Sequence, residues 1–339
     1  MKIFLVIPVY EDPRSLETLL DNVTTDENRG YLNGIVVVTG SENKEIEWVV
    51  GKFSNNGFEI TLLHNPNRYT PHALNIGIKY ALAQGADLIQ MLGAHSVVSD
   101  GYFRDLHRIA ETEKDVGIIS PSYDFFPPQN LIEQAIMLFH LSRLGRNWGR
   151  IYHIDKPVPG FGAGGCSIRR EVFEKIGLYD LKFIRNQDNE LYHRAVKAGF
   201  KGYSYPEIVY IYRPRGSINQ LKKQNFNFGK YFALSPFSHS LKQAGPFLFY
   251  TFMLLLLLVT GTLSYFEAYK PAIVTIGIFM ATLGIYLGAV MFETFRKFLS
   301  YGKAALFLPA IFIMIHFYYA MGSFSGFLFG FPKGESSNK

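Results

Sequence analysis

Cysteine is almost absent from this chain: Cys166 is the only one in 339 residues. A single thiol excludes an internal disulfide and with it the disulfide-stapled secreted domains, so the composition indicates a reducing, cytosolic compartment. Internal repeats and low-complexity tracts are also lacking, which excludes a solenoid. The apolar run at residues 3–7 is interrupted by Pro8. It is too short for a signal peptide or a membrane span, and we expect a buried strand there.

A nucleic-acid partner is not indicated, although the formal net charge is +6. Part of the basic excess lies just before a long apolar region and forms no groove-reading motif. These basic residues are Lys222, Lys223, Lys230 and Lys242. A membrane surface with anionic headgroups explains their placement, so we predict a membrane partner and no nucleic acid.

The chain becomes almost uninterruptedly apolar after residue 246. A hydrocarbon core is crossed by roughly 20 helical residues, and three segments reach that length, at 247–266, 272–292 and 306–329. The second connection between them carries Arg296, Lys297 and Lys303, whereas the first is nearly neutral. The positive-inside rule therefore predicts a multi-pass protein of the cytoplasmic membrane with its N-terminal part in the cytosol. The Gly-rich end of the third segment leaves a re-entrant segment as an alternative.

The N-terminal part alternates short apolar runs, at 3–7, 35–38, 60–63 and 88–92, with helical patterns. This alternation predicts βαβ units and a mostly parallel sheet. Thr70 followed by Pro71 predicts a helix that begins at Pro71 with Thr70 as its cap. Ligands of such sheets bind beyond the carboxyl ends of the strands, which here means the loops at 8–12, 39–43, 64–70 and 93–96.

Four regions follow along the chain. We expect an α/β domain at 1–211, amphipathic helices lying on the membrane at 212–243, three transmembrane helices at 244–331 and a polar tail at 332–339. The apolar residues of the amphipathic stretch alternate with lysines and arginines.

The order and spacing of several motifs resemble those of family 2 glycosyltransferases with a GT-A fold, which is Rossmann-like. The resemblance is strongest to the membrane-attached branch that includes succinoglycan-biosynthesis glucosyltransferases. The motifs are VIPVYED at 6–12, NPNRYTPHALNIGIKYA at 65–81, GAHSVVSDGYF at 93–103, GGCSIRREVFEKIG at 164–177, QDNELYHRAVKAGF at 187–200 and RPRGSINQLKKQNFNFGKY at 213–231.

The resemblance implies an inverting transfer of a sugar from a nucleotide-diphospho-sugar to an acceptor. The positions it implies for the donor are Pro8, Tyr10, Glu11, Thr39, Arg68, Gly93 and His95. Those it implies for the acceptor and the interface helix are Gly165, Glu190, Arg213, Arg215 and Gln224. For several of these the residues alone leave a purely structural role open, such as a strand end at Pro8 or a solvated loop arginine at Arg68.

Asp188 is implied to be the catalytic base, because QDNE at 187–190 stands where the family carries Glu-Asp-x-Glu. A carboxylate in the first turn of a helix is favoured in its ionised form and can accept a proton. The alternative is that Asp188 only caps its helix. Cys166 is assigned no chemistry.

Two positions depart from the family pattern. Thr39 replaces an acid that commonly contacts the nucleotide, and Gly93 replaces the first acid of the metal-binding motif, which leaves His95 as the candidate ligand. Imidazole suits Mn²⁺ better than Mg²⁺. We therefore expect Mn²⁺ and a weak site, with metal-independent transfer as the alternative.

The sequence thus predicts glycosyl transfer to a lipid-linked, polyprenyl-type saccharide in surface or exopolysaccharide biosynthesis. The first alternative is direct glycosylation of a polyprenyl phosphate. The second is a catalytically silent relative that binds a sugar or scaffolds an assembly, which the changes at Thr39 and Gly93 favour and the retained Asp188 and Glu190 disfavour.

Overall fold

The computed structural model describes residues 1–55, 57–145, 151–162, 164–213, 217–234 and 241–330. The chain divides into two compact units. The first comprises Met1–Phe126 and Gly149–Arg213, and the second comprises Pro127–Trp148 and Pro214–Lys339. The predicted polar tail and the candidate Arg215 lie outside the described residues.

The strands of the first unit form one sheet in the order β3-β2-β1-β4-β8-β6-β9-β5, with β7 paired to β9 beside that path. Their bounds are β1 Ile3–Val9, β2 Gly34–Thr39, β3 Ile60–His64, β4 Leu88–Met91, β5 Ser96–Val98, β6 Val116–Phe125, β7 Val158–Pro159, β8 Ser167–Arg169 and β9 Lys201–Tyr212.

Helices make up most of the remaining described chain. In the first unit they are α1 Pro13–Val23, α2 Lys44–Ser54, α3 Thr70–Ala83, α4 Tyr102–Thr112, α6 Arg170–Ile176 and α7 Gln187–Lys197. In the second unit they are α5 Leu131–His140, α8 Ile218–Leu234, α9 Leu241–Tyr265, α10 Tyr269–Tyr301 and α11 Leu308–Phe329. Short 3₁₀ helices occur at Asn28–Gly30 and Gly302–Phe307.

The sheet is mixed, which corrects the prediction of a mostly parallel one. β1 pairs in parallel with β2 and with β4, and β2 pairs in parallel with β3. The predicted βαβ alternation therefore holds for these four strands. Beyond β4 the neighbour is β8, which is antiparallel to both β4 and β6. Three-residue strands such as β5 and β8 carry too few side chains to produce a period that sequence patterns detect.

Helices cover both faces of the sheet. Ile3, Leu5 and Ile7 of β1 pack with the buried sides of α1, α2 and α4. Phe4 and Val6 point to the opposite face and pack with buried residues of α3, α6 and α7. A strand that is buried on both faces reads as a continuous apolar run, which is why β1 is recognisable in the sequence.

Two predicted boundaries are displaced. β1 continues through Pro8, which is in register with Val38 of β2, so the first loop begins only after Val9. Proline is tolerated there because the pairing of β1 with β4 ends at Val6. The helix expected to begin at Pro71 starts at Thr70, with Tyr69 at the cap position and no side-chain cap hydrogen bond. The predicted cap was therefore one residue off.

In the second unit α8 and α11 approach each other through glycines. A β-carbon at Gly322 would collide with the backbone carbonyl of Phe226, and one at Gly229 would collide with the carbonyl of Tyr319. Leu221 and Asn225 of α8 are buried as well. Backbone contact of this kind requires residues without side chains at the crossing.

Two stretches of the second unit are long and apolar enough to cross a membrane by length and composition, Gln243–Tyr265 and Tyr269–Phe329. The second stretch contains α10, the 3₁₀ turn and α11. Their side chains are mostly exposed, unlike those of a core helix in a soluble protein. The three predicted segments therefore fall on α9, α10 and α11.

We expect Gly322→Ala to destabilise the second unit, because the added methyl group must push α8 and α11 apart. Overpacking of this kind costs about 1–3 kcal/mol. The measurement is the thermal unfolding midpoint in detergent. The matched control is Gly288→Ala on α10, where a β-carbon meets open space and the better helix propensity of alanine acts alone. Equal midpoints for the two variants would contradict this packing.

Candidate active site

The candidate site begins where the four parallel strands end. Asn65 N–H donates to the carbonyl of Thr39 at 2.7 Å, and Gly40 N–H donates to that of Val9 at 2.9 Å. The Ser41 hydroxyl donates to the carbonyl of Tyr10 at 2.5 Å. The loops after β1, β2 and β3 are thereby joined at one edge of the sheet, as expected for parallel strands.

Arg68 belongs to this edge because of its loop conformation. Its φ of 64° lies in the left-handed region, which is uncommon for residues other than glycine. A β-carbon on Gly40 would lie 3.0 Å from the Tyr10 ring and 3.1 Å from the Arg68 Cα, so the Tyr10 ring and the Arg68 backbone both pack against Gly40. The buried Asn65 shapes the loop, since its amide donates to the Tyr69 carbonyl and accepts from Asn67 N–H. Sequence reasoning missed Asn65.

Thr39 and Glu11 occupy different environments at this edge. The Thr39 side chain is buried and exchanges hydrogen bonds with the backbone of Ser41 at 3.0 and 3.2 Å. It lines an open pocket of about 320 Å³ together with Glu42 and His64. The side chain of Glu11 is exposed beside the exposed Tyr10. The first two donor loops therefore offer one polar pocket and one exposed carboxylate.

His95 lies at the same edge, in the loop after β4. Its Nδ1 is 3.3 Å from Asp12 Oδ2 and 3.0 Å from Ser15 Oγ. The hydrogen bond from Ser15 N–H is the largest cause that holds the pKa of Asp12 below its usual range. A β-carbon on Gly93 would meet nothing within 4 Å, so the missing acid is not excluded by packing. Asp12 was not among the predicted donor residues.

Asp188 lies in the first turn of α7 and is held by a tyrosine. The Tyr179 hydroxyl is 3.2 Å from Asp188 Oδ1 and 3.2 Å from the Met91 sulfur at the end of β4. The pKa of Asp188 is raised to about 6, because the effect of burial outweighs the opposing effect of the hydrogen bond from Tyr179. The carboxyl is thus ionised at neutral pH, but less strongly than its place in the first turn of a helix suggests. It does not cap α7, because the cap position is occupied by Asn186, which makes no side-chain capping hydrogen bond.

Tyr179 is itself fixed from α3. The Asn75 amide donates to the Tyr179 carbonyl at 2.8 Å and accepts from Tyr179 N–H at 3.0 Å. Neither residue stood out in the sequence. Asn75 shows no chemical motif, and Tyr179 becomes relevant only because the chain returns to the end of β4.

Glu190 faces its own helix. Its carboxylate receives a two-pronged contact from Arg194 through Nε at 2.5 Å and Nη2 at 2.8 Å. Arg194 also donates to the carbonyls of Ile176 and Leu178 at 2.5 and 2.8 Å. The pair therefore ties α7 to the turn that carries Tyr179.

The Gly-rich segment before β8 packs against aromatic side chains. Gly165 has a φ of 70°, and a β-carbon there would lie 2.6 Å from the Tyr210 ring, so only glycine fits. Its carbonyl accepts from Gln90 Nε2 at 2.8 Å. Burial raises the pKa of the neighbouring Cys166 to about 11. A neutral, buried thiol agrees with the assignment of no chemistry to Cys166.

The remaining candidates are spread over both units. The guanidinium of Arg213 lies 5.2 Å from the centre of the Phe126 ring in the first unit. Gln224 lies on α8 in the second unit.

The family model described as glycosyl transferase family 2 matches residues 4–177, about half of the chain. The chain belongs to glycosyl transferase family 2. This confirms the resemblance read from the sequence motifs. The matched part contains the four strand-end loops and the Gly-rich segment through α6, and Asp188 lies beyond its end.

Two curated relatives extend the similarity. One, from Methanococcus voltae, is a dolichyl N-acetyl-alpha-D-glucosaminyl phosphate 3-beta-D-2,3-diacetamido-2,3-dideoxy-beta-D-glucuronosyltransferase. It is 23% identical over 99% of both chains. The other is succinoglycan biosynthesis protein ExoA of Rhizobium meliloti, which is 24% identical over 67% of each chain.

Among solved structures the chain resembles the mannosyltransferase PcManGT from Pyrobaculum calidifontis, which was determined with GDP-Man and Mn²⁺. The TM-score is 0.58 at 15% identity, over 96% of this chain and 87% of the other. At this identity the likeness shows the fold alone. It confirms the predicted α/β architecture of GT-A type.

The arrangement suits a cation only in part. Among the described residues no group of three or more His, Cys, Asp or Glu side chains is placed to hold a metal ion. His95 with the adjacent Asp12 fits a cation that takes most of its ligands from a diphosphate and water, as is common for ions bound with phosphates.

We expect Tyr179→Phe to shift the pH dependence of kcat/KM. Removing the hydroxyl removes the hydrogen bond that lowers the pKa of Asp188, so this pKa rises further above 6. A base acts only when deprotonated, so the acidic limb of the profile moves to higher pH. The measurement is the rate of sugar transfer from pH 5 to 8.

The matched control is Tyr102→Phe. It removes an equally buried hydroxyl that donates to Gln90 Oε1 at 3.0 Å and leaves the surroundings of Asp188 unchanged. An acidic limb that moves equally in both variants, or in neither, would contradict the role of Tyr179.

Proposed function

We propose that the protein is an inverting glycosyltransferase. It transfers a sugar from a nucleotide-diphospho-sugar to a lipid-linked acceptor at the cytoplasmic side of a membrane, in surface or exopolysaccharide synthesis. The observation that carries the proposal is the Asp188 carboxylate. Burial raises its pKa to about 6, and Tyr179 connects it to Met91 at the end of β4, two residues before Gly93 of the family's metal-binding stretch.

The donor occupies the edge formed by the first three loops. Pro8 and Tyr10 lead into the first loop, and Thr39 lines the pocket beside it. The exposed side chain of Arg68, whose backbone packs against Gly40 beside Tyr10, offers a guanidinium to the anionic diphosphate. Arg213 is a second exposed cation of the same unit. Guanidinium groups bind phosphate oxygens through paired donors.

In the reaction Asp188 accepts the proton of an acceptor hydroxyl. The oxygen of that hydroxyl forms the new bond to the anomeric carbon, while the bond from this carbon to the diphosphate oxygen breaks. The nucleoside diphosphate leaves with the electron pair. A single displacement inverts the anomeric configuration. Tyr179 holds one carboxylate oxygen, so the other oxygen is available to the acceptor.

A divalent cation is proposed at His95, with Mn²⁺ favoured by the imidazole ligand. Held by His95, such a cation would neutralise charge that develops on the departing diphosphate. The family relation and the neighbour solved with Mn²⁺ support it.

The lipid-linked acceptor is proposed from two observations. The Methanococcus voltae relative, whose name includes a dolichyl phosphate sugar, is similar over 99% of both chains. The exposed apolar surfaces of α9, α10 and α11 fit hydrocarbon better than water. We propose three membrane crossings, by α9, α10 and α11. Gln224 on α8 is proposed to lie at the membrane interface. Gly165 and Glu190 are proposed to lie on the side of the acceptor.

We expect Asp188→Asn to lower the rate of transfer by about 10²–10⁴-fold, the usual contribution of a general base. Asparagine keeps the shape and still accepts the Tyr179 hydrogen bond, so donor binding stays nearly intact. Transfer is measured with detergent-solubilised protein and donor binding by thermal shift. The control is Asp115→Asn, whose side chain is 87% exposed. Near-normal turnover of the Asp188 variant would eliminate the assignment.

Product analysis separates the proposed acceptor from its alternative. A lipid monophosphate carrying one sugar, formed without any prior saccharide, would indicate direct glycosylation of polyprenyl phosphate. A wild-type protein that binds no nucleotide-sugar from a broad panel would indicate a silent relative.

We expect Gly93→Asp to lower the Mn²⁺ concentration needed for half-maximal donor binding. The new side chain enters open space and adds an oxygen ligand beside His95, and ligand charge tunes cation affinity. The readout is thermal stabilisation by GDP and by UDP over a Mn²⁺ titration, with chelator as the blank. Gly51→Asp on α2, where a β-carbon also meets open space, is the control for an added charge. Donor binding that stays undiminished in chelator would support metal-independent transfer instead.

A further inference from the structure

Three polar side chains meet where β1 and β4 end: Asp12, Ser15 and His95. Asp12 precedes α1, and its Oδ1 accepts from Ser15 N–H at 3.0 Å, which caps the helix. Its second oxygen, Oδ2, accepts from the Ser15 hydroxyl at 2.9 Å. The same Oδ2 lies 3.3 Å from His95 Nδ1. The cap thus uses one carboxylate oxygen, and the other faces the histidine.

This arrangement determines which imidazole nitrogen carries the proton. The hydroxyl hydrogen of Ser15 is donated to Asp12, so its oxygen can only accept from His95 Nδ1, 3.0 Å away. Asp12 Oδ2 is also only an acceptor. Both neighbours of Nδ1 therefore require a hydrogen on it. In the neutral imidazole the lone pair is then on Nε2.

A histidine prepared in this way has the usual arrangement of a metal ligand. Ligating histidines commonly donate their other N–H to a carboxylate, which fixes the ring and makes the ligating nitrogen more basic. The His95 side chain is 69% exposed, so a cation and a diphosphate have access to it. Gly93 supplies no carboxylate, so the carboxylate beside His95 is that of Asp12, which comes from the loop after β1 and not from the loop after β4.

We propose that Asp12 is a positioning residue for the cation site: it holds His95 with Nε2 free to ligate a divalent cation, and it replaces the charge missing at Gly93. This inference rests on the proposed function, because the cation is the one that accompanies the nucleotide diphosphate.

The test compares Mn²⁺ binding by the full-length, detergent-solubilised wild type and Asp12→Asn. Asparagine caps helices about as well as aspartate, so α1 is preserved while the charge opposite His95 is lost. The dissociation constant is measured from the EPR signal of free Mn²⁺, with Mn²⁺ alone and with excess GDP or UDP. Loss of an outer-sphere partner weakens metal binding by about 10–100-fold, and we expect a change in that range.

Two further variants sharpen the result. Asp26→Asn removes a charge of the same kind from a 95% exposed side chain and should leave Mn²⁺ binding unchanged. Direct ligation by His95 is read from the nitrogen coupling in the pulsed EPR spectrum of bound Mn²⁺. This coupling should be present in the wild type, absent in His95→Ala and weakened in Asp12→Asn.

The outcomes separate this proposal from the proposed function. Equal Mn²⁺ affinity and equal nitrogen coupling in the wild type and Asp12→Asn would overturn the role of Asp12, and donor binding would stand. Nucleotide binding that chelator leaves unchanged, but that both His95→Ala and Asp12→Asn weaken, would mean that His95 contacts the phosphates without a cation, which also overturns the proposal. A wild type that binds no nucleotide would contradict the proposed function. The titration with Mn²⁺ alone then tests Asp12, and a wild type that binds no Mn²⁺ either would overturn its role as well.

Discussion

The rest of the first unit depends on the parallel pairing of β1 with β2 on one side and β4 on the other. Because parallel strands end at the same edge, this pairing brings the loops after β1, β2, β3 and β4 together. Along the chain these loops are separated by the helices and strands of the βαβ units. The edge then collects chemically different groups: a pocket at Thr39, a guanidinium at Arg68 and the Asp12–His95 pair. No contact within a single loop would place these groups side by side.

The second half of the unit supplies the proposed base through one tyrosine. Burial of Asp188 disfavours its charged form, and the Tyr179 hydroxyl opposes that effect. The balance leaves a carboxyl with a pKa of about 6, a value suited to accepting a proton near neutral pH. Asn75 fixes Tyr179, and Arg194 ties α7 to the same turn. Glu190, the second acid of the family motif, binds Arg194 and so helps to attach α7 to the turn that carries Tyr179. The two neighbouring carboxylates therefore differ in role: Asp188 is the proposed base, and Glu190 stabilises the structure around it.

The structure agrees with the sequence where the local signal was strong. The apolar runs that became β1, β2 and β4 are continuous because these strands are buried on both faces, and the apolar segments at the end became α9, α10 and α11. The predictions were wrong where long-range pairing decided the result. The placement of β8 between β4 and β6 made the sheet mixed. Thr70 is the first residue of α3, and Tyr69 takes the cap position without a side-chain capping hydrogen bond.

The sequence by itself determined the family, the α/β class and the apolar helices, because motif order and hydrophobic period are local properties of the chain. It also identified Asp188 and His95 as candidates by their position in motifs. Only the tertiary structure decided what these two side chains face. Tyr179 is 9 residues from Asp188, but it is held by Asn75, 104 residues away, and Ser15 is 80 residues from His95. Hydrogen bonds and burial determine the protonation of Asp188 and the tautomer of His95. They depend on contacts between residues that are distant in sequence, and these contacts form only when the sheet has folded.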